Sequence, residues 1–181
     1  MATFENCVAY VLKHEGGLTD NPSDNGGITN FGISLRFLRE VPIDALKRAG
    51  IFNAVDADTI RDLTKDQAVK LYFSEFWQKA DFEKITNLNA AKYIFDMSVN
   101  SGLSRAVKIA QRACCAIARC PTYLKHDGIM GTQTLAAINH ASLSLVSVMI
   151  AERCGFFRVL VARDARQSVF LNGWINRAHN I

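Results

Sequence analysis

FENCVAYVLKHEGGLTDNPSDNGGITNFGIS, residues Phe4 to Ser34, changes character halfway along. Its first part sets Phe4, Val8, Val11 and Leu12 at helical spacing, and Gly16 and Gly17 follow at once as a stop, which predicts a first helix ending near Glu15. Its second part, Leu18 to Gly32, is rich in Asp, Asn, Ser, Pro and Gly, the composition of turns or a small irregular hairpin.

At about 100° per residue, Glu15 lies about 20° from both Phe4 and Val8 around the predicted helix, on the stripe that should face the core. A carboxylate is unexpected there. Burial disfavours its charged form and the helix C-terminus adds partial negative charge, so the position suits an acid that keeps its proton until a substrate takes it. The plainer alternative is a frayed helix end with Glu15 in water. Asp24 follows nine residues later among Asn25, Gly26 and Gly27, where solvent and free backbone N–H groups are expected to keep it ionised. One protonated and one ionised carboxyl across a cleft is what glycosidic cleavage uses: the first protonates the leaving oxygen, the second activates water or stabilises the cationic sugar. Thr29 offers a hydroxyl for the attacking water, against a plain turn role. Asp20 competes with Asp24 as the second carboxylate.

Outward from this stretch the patterns are helical. Thr64 with Gln67 reads as a capping box opening a helix to about Lys79, and Asn89 to Val99 reads as another. Ser104 is expected to cap a third, running to about Ala118 with Val107, Ala110, Cys114 and Ile117 on one stripe. Leu143 to Ala162 predicts a long apolar helix at the centre, and Val169 to Arg177 a last short one. Alternating strand patterns and internal repeats are absent outside the Leu18 to Gly32 loop. The fold class is therefore mainly α, a helical domain with a small irregular hairpin or loop near the N-terminus.

With 181 residues, 49% hydrophobic, the chain suits one sizeable core and one domain over residues 1–181. The longest apolar runs are too short to span a bilayer, and Met1 to Asn6 lacks a basic cluster, so neither membrane insertion nor a signal peptide is expected. Cys7, Cys114, Cys115, Cys120 and Cys154 form an odd set without CxxC spacing, and His14, His126, His140 and His179 show no ligand spacing. Packed thiols, no metal and no cofactor are the expectation. Residues 1–104 hold 11 Lys and Arg against 14 Asp and Glu, and residues 105–181 hold 10 against 3, a net −3 followed by +7. A basic half suits a polyanion, which charge alone does not identify.

EGGLTDNPSDNGGITNFGIS, Glu15 to Ser34, closely resembles the signature loop of family-108 glycoside hydrolases, the N-acetylmuramidases found among phage endolysins. FDMSVNSG (Phe95 to Gly102) resembles a second family block, DGIMGTQT (Asp127 to Thr134) its peptidoglycan-binding region, and FLNGWINR (Phe170 to Arg177) its closing segment. The resemblance implies a lysozyme-like helical fold, with a catalytic lobe over about 8–95 and a helical lobe over 96–181 resembling the peptidoglycan-binding region. It further implies hydrolysis of the β-1,4 bond between N-acetylmuramic acid and N-acetylglucosamine, with Glu15 as proton donor. The order Glu15, Asp24, Thr29 is similar to the catalytic triad of small phage lysozymes. Leu18 departs from the aromatic residue the family often has directly after EGG.

Two further substrate contacts are expected. Trp77, from the aromatic group Tyr72, Phe73, Phe76 and Trp77, is a candidate for sugar stacking, and Asn100 for bonding an N-acetyl group, each set against ordinary packing. Gly128 and Gly131 predict a tight turn, either a connector or a wall contact, and Arg153, Arg158, Arg163 and Arg166 read as a solvated face. The competing functions are a lytic transglycosylase, which needs one carboxyl, a non-catalytic wall-binding module, and a nucleic-acid binder, for which no recognition motif exists. The expected partner is bacterial peptidoglycan, not nucleic acid or membrane. A monomer is expected, made in the cytoplasm and reaching the cell wall through a holin or secretion system.

Overall fold

The computed structural model describes residues 2–20, 27–117 and 124–180. Helix α1 spans Phe4–His14, capped at its start by the Thr3 side chain, which accepts from the Asn6 N–H. Cys7, Val8 and Val11 bury its inner face, and Glu15, in extended conformation, ends it. Strands β1 (Thr29–Asn30) and β2 (Ile33–Ser34) then form an antiparallel hairpin in which Thr29 pairs with Ser34 and Asn30 with Ile33. Phe31 and Gly32 both have positive φ, 48° and 73°, as a two-residue turn matching strand twist requires. The predicted irregular hairpin is thus present, steadied by a bridge from Thr19 to Thr29.

Helices α2 (Leu35–Glu40), α3 (Ile43–Ala49) and α4 (Ala57–Arg61) follow. Asn30 ties the hairpin to the end of α4, its buried amide donating to the carbonyl of Ile60 at 3.0 Å and to those of Arg61 and Leu63 at 3.4 Å. The capping box of Thr64 and Gln67 opens α5 (Lys65–Tyr72). The helix does not run on to Lys79 as an α-helix: Phe73–Trp77 is a π-helical turn and Gln78–Ala80 a tighter 3-10 turn. Helix α6 (Leu88–Ser101) is the most enclosed, every position from Ala90 to Ser98 being buried except Lys92. It therefore holds the centre that the sequence assigned to the long C-terminal helix.

Helix α7 (Leu103–Ile117) begins one residue before Ser104, so Ser104 lies inside its first turn and does not cap it. Helix α8 (Thr132–His140) follows the DGIMG turn. That turn is held from within: the buried Gln111 amide donates to Asp127, Ile129 and Thr134, while its oxygen accepts from the Gly128 N–H. Gly128 has φ 81°, and a Cβ there would fall 2.6 Å from the Ser104 carbonyl oxygen. Helix α9 (Leu145–Arg163) packs on α6 and α7, and α10 (Ser168–His179) packs back along α9. One hydrophobic cluster runs from Ala2 to Ala178, joining both halves of the chain. Among the described residues, no helix is long and apolar enough to cross a membrane. Cys7, Cys114 and Cys154 are free thiols, whereas Cys115 is disulfide-bonded, against the expectation of packed thiols throughout. Cys120 lies outside the described residues.

Candidate active site

The end of α1 delivers Glu15 to the floor of a groove of about 660 Å³ between the hairpin and the C-terminal helices. Its side chain is 12% exposed, as its place on the core-facing stripe predicted. Gly32 passes directly over it. A Cβ at Gly32 would stand 2.5 Å from Glu15 Oε2 and 2.5 Å from the Tyr72 hydroxyl, so only a glycine lets the turn approach the carboxylate this closely. Tyr72 donates to the Phe31 carbonyl at 2.5 Å and so pins the turn from below. Burial, and then the negative charge of Glu15, raise the Tyr72 pKa and keep its hydroxyl a donor.

A chain of charges reaches Glu15 from the C-terminal helices. Arg177, on α10, donates through Nη2 to Glu15 Oε1 at 2.5 Å and to Asp96 Oδ1 at 2.7 Å, and through Nε to Asp96 at 3.1 Å. Asp96, fully buried on α6, also accepts from Arg153 Nη1 at 2.8 Å. Burial would lower the Arg177 pKa, but the carboxylates of Asp96 and Glu15 outweigh it and raise the value. Arg153 is 1% exposed, its guanidinium 5.3 Å from the Tyr93 ring centre and 5.5 Å from that of Phe157. Its expected place on a solvated face is thus corrected: the apolar residues surrounding it on α9 carry it inward to Asp96.

Thr29 and Asn100 line the groove. The Thr29 hydroxyl donates to the Gly27 carbonyl at 3.0 Å. Trp77 does not line it. The tryptophan is 4% exposed and packs on Phe4, Phe82 and Phe95, so its expected sugar contact is replaced by a core role. The groove's tryptophan is Trp174 on α10, stacked between Phe157 and Phe170 at 5.1 and 5.7 Å. Asp20 lies off the groove, exposed and 3.6 Å from Arg61. Asp24 lies outside the described residues. Glu75, which the sequence reading missed, lines the groove from the π-helical turn and is paired with Lys79. Among the described residues no group of His, Cys, Asp and Glu could hold a metal ion.

The family described as Glycosyl hydrolase 108 matches residues 8–102, and a second, described as Predicted Peptidoglycan domain, matches residues 105–179. The chain belongs to glycosyl hydrolase family 108. It is a lysozyme-like glycoside hydrolase acting on peptidoglycan. The solved structure of Brucella abortus SagA superposes with a TM-score of 0.67 at 23% identity, over 98% of this chain and 96% of that one, and shows the same fold. No curated protein matches the sequence.

In this family-108 hydrolase the two matched stretches meet between α6 and α7, and the groove spans the junction. Glu15, Thr29 and Asn100 come from the first stretch, and Phe156, Phe157 and Trp174 from the second. The closing segment FLNGWINR supplies both Trp174 and Arg177. Its resemblance to the family was visible in the sequence, but the partners of these two residues were not.

Proposed function

We propose that this hydrolase cleaves the β-1,4 bond between N-acetylmuramic acid and N-acetylglucosamine with Glu15 as general acid. The observation that carries this reading is the placement of Glu15: a largely buried carboxyl on the groove floor, roofed by a turn that only Gly32 can make. A carboxyl shielded from bulk water in a groove lined by a tryptophan can meet a glycosidic oxygen while the sugar stacks on the indole. Thr29 is assigned to hold the attacking water. Asp24 is assigned as the ionised partner; this rests on its place between Glu15 and Thr29 in the chain and on the engagement of its rival Asp20 with Arg61. Asn100 is assigned to an N-acetyl group from its place on the groove wall. Residues 8–95 form the catalytic lobe and 96–181 the helical lobe of one domain and, in this reading, one monomer.

Incubation of wild type and Glu15→Gln with purified peptidoglycan, followed by mass spectrometry of the new sugar ends, tests the assignment. Reducing N-acetylmuramic acid ends from wild type alone are expected. A 1,6-anhydro product would instead make the enzyme a lytic transglycosylase, and release by Glu15→Gln would remove Glu15 from the chemistry. The resemblance of the Glu15 to Ser34 loop supports a role as a phage or prophage endolysin, made in the cytoplasm and delivered through a holin or secretion system. Expression in a bacterial host should then lyse cells only when a holin is co-expressed; lysis without one would refute that route.

A further inference from the structure

Glu15, Asp96, Arg153 and Arg177 come from α1, α6, α9 and α10, so the family-108 stretch supplies both carboxylates of the network and the peptidoglycan-domain stretch both guanidinia. Arg177 is the link. Nη2 bridges the two carboxylates, at 2.5 Å to Glu15 and 2.7 Å to Asp96, while Nε fastens the same guanidinium to Asp96. Asp96 in turn is fixed by Arg153, whose own position is set by the rings of Tyr93 and Phe157. A guanidinium held at one end by a buried carboxylate cannot follow a mobile partner, so Glu15 is the group being held. At 16% exposure Arg177 lies beneath the groove surface and is absent from its lining, so it reaches substrate only through Glu15.

We propose that Arg177 is a positioning residue for Glu15, and that the peptidoglycan-binding half of the chain thereby completes the catalytic site. The proposal rests on the reading of Glu15 as general acid. Tyr72 from α5 stands beside Glu15 at the Gly32 turn, and Asp96 and Arg153 stand behind Arg177; Arg36, Glu40, Glu75, Lys79 and Arg105 are the other charged residues lining the groove. By holding Oε1, Arg177 fixes the direction in which the other carboxyl oxygen points.

The test compares wild type, Arg177→Gln, Arg177→Lys and Glu15→Gln on purified peptidoglycan, with kcat and KM measured and folding followed by tryptophan fluorescence in urea. Arg177→Gln keeps a donor but loses the charge and the fork that spans two carboxylates. Its kcat is expected to fall roughly ten- to a hundredfold with KM nearly unchanged. Arg177→Lys should recover kcat only in part, because an ammonium keeps the charge but lacks that fork. An unchanged kcat in folded Arg177→Gln, or a loss that falls on KM instead, would overturn the proposal while leaving Glu15 as the acid. Activity in Glu15→Gln would overturn both. Should Arg177→Gln not fold, Asp96→Asn takes its place: freeing the far end of the guanidinium should lower kcat at nearly unchanged KM, and an unchanged kcat refutes the inference.

Discussion

Gly32→Ala should damage catalysis far more than its single methyl group suggests. The new Cβ would stand 2.5 Å from Glu15 Oε2, 0.9 Å short of the 3.4 Å at which ordinary contact begins, with the Tyr72 hydroxyl equally close. Three responses are open: the turn lifts, Tyr72 lets go of Phe31, or the carboxylate moves by nearly an ångström. Tyr72 is fully buried and Glu15 is not, so the carboxylate gives way. A displacement of that size costs on the order of a hundredfold in rate, about 2.7 kcal/mol of barrier. Stability falls as well, by about 1–2 kcal/mol for an L-residue in the left-handed region and a further 1–3 kcal/mol or so for the overlap. Gly50→Ala separates the two effects. Gly50 caps α3 with φ 87°, and its nearest neighbour to a new Cβ is the Gln67 amide at 3.8 Å. That variant should lose about 1–2 kcal/mol and no kcat. Urea midpoints and turnover on purified peptidoglycan report on both, and equal stability losses with unchanged kcat in Gly32→Ala would refute the close-approach argument.

Asp96→Ala leaves the guanidinia of Arg153 and Arg177 without their shared buried counter-ion, and should cost about 3–5 kcal/mol in urea denaturation. A loss below about 1 kcal/mol would mean the network is far better hydrated than its burial indicates. Trp77→Ala should destabilise by about 3–5 kcal/mol without raising KM, whereas Trp174→Ala should raise KM about two- to tenfold; the reverse pattern would return the sugar contact to Trp77. Stability should decline above pH 9. Burial pushes the Cys7 thiol from 9.0 up to about 12 and the Cys114 thiol up to about 11, so the unfolded chain releases protons that the folded chain retains. The contribution is whole below pH 9 and is lost as pH rises toward those values, at about 1.4 kcal/mol per pH unit for each thiol. Cys7→Ala should flatten the fall in urea midpoint between pH 8 and 10.5, and an unchanged slope would count against it.

The two matched halves cannot be independent machines. The cluster from Ala2 to Ala178 is continuous, and Tyr10 on α1 bonds the carbonyl of Asn180 just beyond α10. Closing the C-terminal helix against the first helix is therefore the same event as bringing Arg177 to Glu15. A chain that has not docked α10 has its carboxyl but not the charge that orients it, which couples completion of the fold to readiness of the site.

Local periodicity determined which features were legible in the sequence. The stripe of α1 located Glu15, the Thr64–Gln67 pair located the start of α5, and the polar run located the hairpin, because each depends on neighbours within about one helical turn. Trp77 misled because a single α-helix with one buried face was not expected to bury most of Tyr72, Phe73, Phe76 and Trp77; the π-helical segment at Phe73–Trp77 widens the turn, so Tyr72, Phe76 and Trp77 are all buried while Glu75 lines the groove. Arg153 misled differently: α9 is apolar around most of its circumference, so its pattern names no polar face, and only Asp96, 57 positions earlier, explains why a guanidinium can be buried there. Arg177 stands 162 positions from Glu15. Its charge matched the basic half that the sequence assigned to a polyanion, yet its partners are two carboxylates inside the molecule. Net charge counts groups without saying which are already satisfied, and the groups that shape this site are among those already satisfied.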